Sequence, residues 1–148
     1  MITFDYRETL NIPIDVVWAE LSDFGALLNW LPRGDESTLT TEGEGIGMVR
    51  NMVLPNLGEA QHRLDALDHD NQVITYSMTK GFPAGMLGYT VTVSLSDAGE
   101  GQCTILWEGQ AEGDTPAEEE AIAERFRSAS YPNLTAALAG FLTSGADA

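Results

Sequence analysis

His62, Tyr76, Tyr89 and Glu8 combine a side chain able to do chemistry with a position that turns it inward. Each belongs to a run that alternates apolar and polar residues, and each falls on the apolar parity. Ala60, His62 and Leu64 share one face against Glu59, Gln61, Arg63 and Asp65, while Ile74, Tyr76 and Met78 oppose Thr75, Ser77 and Thr79. Leu87, Tyr89, Val91, Val93 and Leu95 oppose Gly88, Thr90, Thr92 and Ser94; Cys103, Ile105 and Trp107 oppose Thr104, Leu106 and Glu108. An imidazole titrates near neutral pH, so His62 is a candidate ligand contact or proton carrier. A neutral histidine hydrogen-bonded to Tyr76 or to water fits the same pattern. Tyr76 and Tyr89 could donate to a ligand carbonyl, or be half-buried tyrosines with wet hydroxyls. Glu8 could serve as a base, or be turned to solvent by a bulge. Arg50 suits a carboxylate or an enolate, and equally an ion pair with Glu8 or another acid. His62, Tyr76, Arg50 and Tyr89 are thus the catalytic candidates.

Other chemistries find no support. No His, Asp and Glu set has metal-ligand spacing, so neither metal nor cofactor is expected, and no G-x-S-x-G nucleophile elbow occurs. Gly43-x-Gly45-x-Gly47 lacks a following Lys-Ser/Thr and opens a strand, so it reads as a hairpin. A single cysteine, Cys103, excludes an intrachain disulfide and a thiolate cluster. The 148 residues carry 7 basic and 23 acidic side chains, a net charge of −16, which repels polyphosphates and anionic headgroups. Nucleic-acid and membrane partners are therefore not expected. The start of the chain shows no basic and apolar leader, which predicts a cytoplasmic protein.

The elements that must position these groups follow from periodicity. Ile2 to Ile12 alternates as a strand; Pro13 opens a helix with Ile14, Val17, Trp18 and Leu21 on one face. A second short helix aligns Phe24, Leu27, Leu28 and Leu31 before Pro32 and Gly34 end it. Trp18 and Trp30 read as core. Strands are predicted near 36–42, 47–54, 58–67, 72–79, 86–96 and 102–112, separated by Gly, Pro, Asn and Asp turns, with His69 solvated in one of them. Thr115-Pro116-Ala117-Glu118 is a capping box, and a helix should run from it to about Thr143, kinked at Pro132. Its apolar face should hold Ile122, Phe126 and Ala129, then Leu134, Ala137, Leu138 and Phe141. No linker or repeat divides the chain, so 1–148 reads as a single domain of α+β class.

This order, with Ile12-Pro13-Ile14-Asp15-Val16-Val17-Trp18, Phe24 to Trp30-Leu31-Pro32, Gly45-Ile46-Gly47-Met48-Val49-Arg50, His62-Arg63-Leu64-Asp65-Ala66-Leu67-Asp68, Tyr76-Ser77-Met78 and Trp107-Glu108-Gly109, resembles the SRPBCC or START-like helix-grip superfamily. Its polyketide cyclase/dehydrase branch is the nearest likeness, and the resemblance covers nearly the whole chain. It implies a curved seven-stranded antiparallel sheet wrapped around a long C-terminal helix, two short helices after the first strand, and a cavity between sheet and helix. It implies also that Arg50, Met52 and Leu54 face the cavity, since both faces of 48–54 are apolar and alternation is undecided there. Relatives often carry an acidic residue at the place of His62. The expected ligand contacts are Arg50, Met52, Leu54, His62, Tyr76, Met78, Phe82, Tyr89, Trp107 and Phe126. Segments 55–58 and 80–86 resemble loops that cover the cavity mouth. The expected partner is a small hydrophobic molecule, bound by a monomer or homodimer; the alternative is a cyclase- or aromatase-type enzyme acting on a ketone. Fold alone does not choose between these.

Overall fold

Alternation makes Ile2–Leu10 the first strand, β1, and it buries Phe4 and Leu10 while Thr3, Asp5, Arg7 and Thr9 stay exposed. The computed structural model describes residues 1–55 and 57–144. Pro13 precedes the helix α1 (Ile14–Leu21) as its cap, with extended ψ, and α1 buries Val17, Trp18 and Leu21. Two 3-10 turns follow, Phe24–Asn29 and Gly34–Glu36; the second lies beyond Pro32, where the sequence suggested only a break. Six strands come next: β2 (Thr38–Glu42), β3 (Val49–Leu54), β4 (Gly58–Asp68), β5 (Val73–Lys80), β6 (Met86–Gly99) and β7 (Gln102–Gly113). They form one antiparallel sheet in the order β1-β7-β6-β5-β4-β3-β2.

The helix at the end of the chain lies on the inner face of this sheet. Thr115 accepts from the Glu118 backbone N–H at 3.1 Å and opens α2 (Pro116–Arg125), as the capping box requires. A π-turn, Phe126–Ser130, then leads into α3 (Tyr131–Ser144). Pro132 has no N–H to donate back to residue 128, and the ladder widens just before it. The expected kink is absorbed by this wide turn, which advances the helical phase by about one residue. The inward face of α3 is therefore Tyr131, Thr135 and Leu138, whereas Phe141, expected inside, is 38% exposed.

Register slips also correct the parity of one strand end. Between Met86 and Gly88 the β6–β7 pairing shifts, so Met86 is buried and Leu87, expected inside, is 55% exposed. From Tyr89 to Leu95 the expected alternation holds. The core joins Val91, Val93, Leu95, Ile105 and Trp107 to Phe4, Ile122, Tyr131 and Leu138. Gly109 on β7 is the point of closest approach, since a Cβ there would overlap the Tyr131 hydroxyl and the Phe4 ring.

Candidate functional site

β3, β4 and β5 bring Arg50, His62 and Met78 into one row on the inner face, because Arg50 pairs with His62 and His62 with Met78. Tyr76 lies one inward position along β5, opposite Leu64. Arg50 is 4% exposed and Met52 is buried beside it, while Val53 on the opposite parity is 49% exposed. That orientation, left open by alternation within β3, follows the resemblance.

The guanidinium of Arg50 is enclosed by aromatic and neutral groups. Its Nε donates to Nδ1 of His62 at 3.2 Å, Nη2 donates to the same nitrogen at 3.0 Å, and Nη1 donates to the carbonyl of Phe24 at 3.0 Å. Its carbon stands 4.0 Å above the Phe24 ring and 4.7 Å from the Tyr76 ring, both within cation–π range. The His62 ring stacks on Tyr76 at 5.1 Å. Among the described residues no acidic side chain pairs with Arg50; Glu8 instead accepts from the Tyr6 hydroxyl. Neither the expected Arg50–Glu8 pair nor a His62–Tyr76 hydrogen bond forms. Tyr6, with Glu8 as acceptor, is pushed up to about 12.

These contacts determine protonation. Arginine has no acceptor, so Nδ1 of His62 must be the bare nitrogen and Nε2 carries the proton. Burial, then the adjacent Arg50 charge, holds the His62 pKa well below its ordinary value, so the imidazole is neutral. Burial lowers Arg50 to about 10, partly opposed by Tyr76, and it stays cationic at neutral pH. Burial raises the Tyr76 phenol, with Arg50 acting the other way. The cluster is one cation with neutral donors.

The remaining expected contacts divide into covered and half-covered groups. Trp107 is 1% exposed, stacks on Tyr131 at 5.0 Å and donates to Thr135 Oγ1 at 2.9 Å. Tyr89 is buried, its hydroxyl 2.6 Å from that of Tyr131, and its ring stacks on Phe126 at 4.7 Å. Burial pushes both phenols up. Leu54, His62, Tyr76, Met78 and Phe126 are half-buried, and Phe82 is exposed in the turn between β5 and β6. On β3 to β5 the half-buried inner-face residues are Leu54, Ala60, His62, Tyr76 and Met78. Of the mouth segment 55–58, Asn56 lies outside the described residues.

Sequence reasoning missed Tyr131 and Thr135, because the π-turn before them shifts the phase of α3 relative to α2, and it missed the carbonyl of Phe24. It also placed His69 in solvent; the ring is exposed, yet its Nδ1 accepts from the Trp18 indole at 3.1 Å. Two hollows of about 620 and 400 Å³ open on the molecule, the smaller bordered by Met52 and Ala60 along with Asn51, Val53 and Gln61. Thr3, Asp5, Thr90, Thr92, Glu108 and Gln110 line the larger. These are wet sheet-surface side chains without a buried polar group.

Comparison with known proteins agrees with this fold. Residues 1–141 match the model of a family described as polyketide cyclase/dehydrase and lipid transport. None of the curated proteins compared with the chain matches it. Among solved structures, a Thermobifida fusca protein superposes with a TM-score of 0.82 at 19% identity, covering 97% of this chain and 95% of that one. XoxI from Bacillus cereus gives 0.76 at 24% identity, covering 96% of each. Norcoclaurine synthase from Thalictrum flavum, solved with dopamine and hydroxybenzaldehyde, gives 0.74 at 15% identity, covering 97% and 87%. At these identities the likeness is one of fold.

Proposed function

We propose that this chain, which belongs to the polyketide cyclase/dehydrase and lipid transport family, binds a small, mostly hydrophobic molecule between the inner face of the sheet and the C-terminal helix. The observation that carries this reading is the cluster of Arg50, His62 and Tyr76 on the inner face of the sheet, in one row with the half-buried Met78. Apolar walls with a few convergent polar groups are the general form of a small-molecule site. Beside the cluster Tyr89 hydrogen-bonds Tyr131 and Trp107 hydrogen-bonds Thr135, which fix the C-terminal helix on the sheet.

A cyclase- or aromatase-type reaction is the second reading, favoured by the donors in the cluster. Arg50, the Nε2–H of His62 and the Tyr76 hydroxyl would polarise a ketone, and the walls would fold the substrate by proximity. His62 is poorly placed as a base, since its bare nitrogen already takes two Arg50 hydrogen bonds.

Thermal unfolding with flavonoids, sterols, fatty acids and polyketide mimics tests the binding reading. At a hundredfold excess over Kd, a binder adds about 2.7 kcal/mol, or about 5–10 °C in Tm for a domain of this size. No shift with any compound would sink the proposal. Turnover of a ketone by the same protein would favour the second reading.

A further inference from the structure

Of the seven basic side chains, Arg50 alone is buried, and it is buried without a counter-charge among the described residues. A chain with 23 acidic residues does not lack candidates for that place, yet Arg50 meets an imidazole nitrogen, a backbone carbonyl, the Phe24 ring and the Tyr76 phenol, none of them an anion at neutral pH. A desolvated charge is costly unless it is paired and hydrogen-bonded. A guanidinium has five N–H groups, and three are engaged here, two on Nδ1 of His62 and one on Phe24. One N–H remains on each terminal nitrogen, and a carboxylate accepts from two such donors side by side. His62 adds a further donor, for its Nε2–H has no partner among the described residues.

We infer that Arg50, held by His62 and Phe24, is an anion-recognition group, and that the ligand of this site is a flat apolar or aromatic carboxylic acid bound as its carboxylate. The inference rests on the binding reading above and names the ligand's class. The ligand supplies the missing negative charge at Arg50. Its apolar body lies against the half-covered Tyr76, Met78 and Phe126. The neutrality of His62 matters here, because the neutral ring both holds the guanidinium from Nδ1 and keeps Nε2–H for the carboxylate.

The test is a matched panel of benzoate, cinnamate, 2-naphthoate and laurate, each beside its methyl ester, titrated calorimetrically at pH 7 into the wild type and Arg50→Met. The wild type should bind at least one acid ten- to a hundredfold more tightly than its ester. Arg50→Met should abolish that preference, acid affinity falling at least about tenfold further than ester affinity, the pattern of a lost charge contact. Saturable binding of acid and ester with equal affinity would overturn the anion assignment and leave the binding reading standing. Retention of the acid preference by Arg50→Met would overturn it too. Binding of neither acid nor ester would remove both. Should Arg50→Met fail to fold, Arg50→Lys is read instead: with the charge kept and the fork lost, the preference should fall severalfold, and an unchanged preference overturns the bidentate contact.

Discussion

Replacing His62 with Gln should flatten the acid limb of the stability profile. In the folded protein Nδ1 of His62 accepts from Nε and Nη2 of Arg50, so a second proton would have to enter between the ring and a cation. Burial adds to the penalty, and the folded-state pKa lies well below the ordinary value. In the unfolded chain the imidazole titrates near 6.5. Above that pH both states are neutral at His62 and no stability depends on it. As the pH falls below it, the unfolded state takes up a proton that the folded state refuses, and stability is lost. One pH unit is worth about 1.4 kcal/mol, so the loss by pH 5 is at most about 2 kcal/mol. Gln keeps an acceptor for Arg50 without titrating. Urea unfolding of both proteins at pH 7.5, 6.5, 5.5 and 5.0 reads the difference, and His69, present in both, cancels. The wild type should lose more than the variant between pH 7.5 and pH 5, by up to about 2 kcal/mol. Parallel curves would refute the reasoning, for they would mean that His62 accepts a proton as readily in the fold as outside it.

Gly109→Ala drives a methyl into the Tyr131 hydroxyl and the Phe4 ring and should cost about 1–3 kcal/mol in urea unfolding; a neutral effect would mean the helix shifts freely on the sheet. Tyr89→Phe and Tyr131→Phe each leave one hydroxyl of a buried pair alone, at about 1–3 kcal/mol apiece. The double variant should cost less than the sum of the two, and a double-mutant cycle with zero coupling would contradict the pair. Thr115→Ala removes the side-chain acceptor at the start of α2 and should lower stability by about 1 kcal/mol, measured by thermal or urea unfolding, whereas Thr115→Ser should not.

Periodicity by itself determined the element order, the faces of the strands apart from β3 and the start of β6, and the long C-terminal helix, because alternation of two and a period near 3.6 are local properties of the chain. The capping box at Thr115 and the inward parity of His62, Tyr76 and Trp107 were legible for the same reason. Three matters belonged to the tertiary structure. The slip at Met86 exchanged Met86 for Leu87 because strand register is set by the partner strand. The π-turn before Pro132 rotated α3, burying Tyr131 and Thr135 and releasing Phe141, since a missing N–H can be met by a kink or by a wide turn and packing on the sheet selects between them. The charge state of the site was the third. Nothing in the residue order tells that Arg50 would meet His62 and Phe24 instead of Glu8, because these groups lie on β3, β4 and a 3-10 turn that only folding brings within hydrogen-bonding distance.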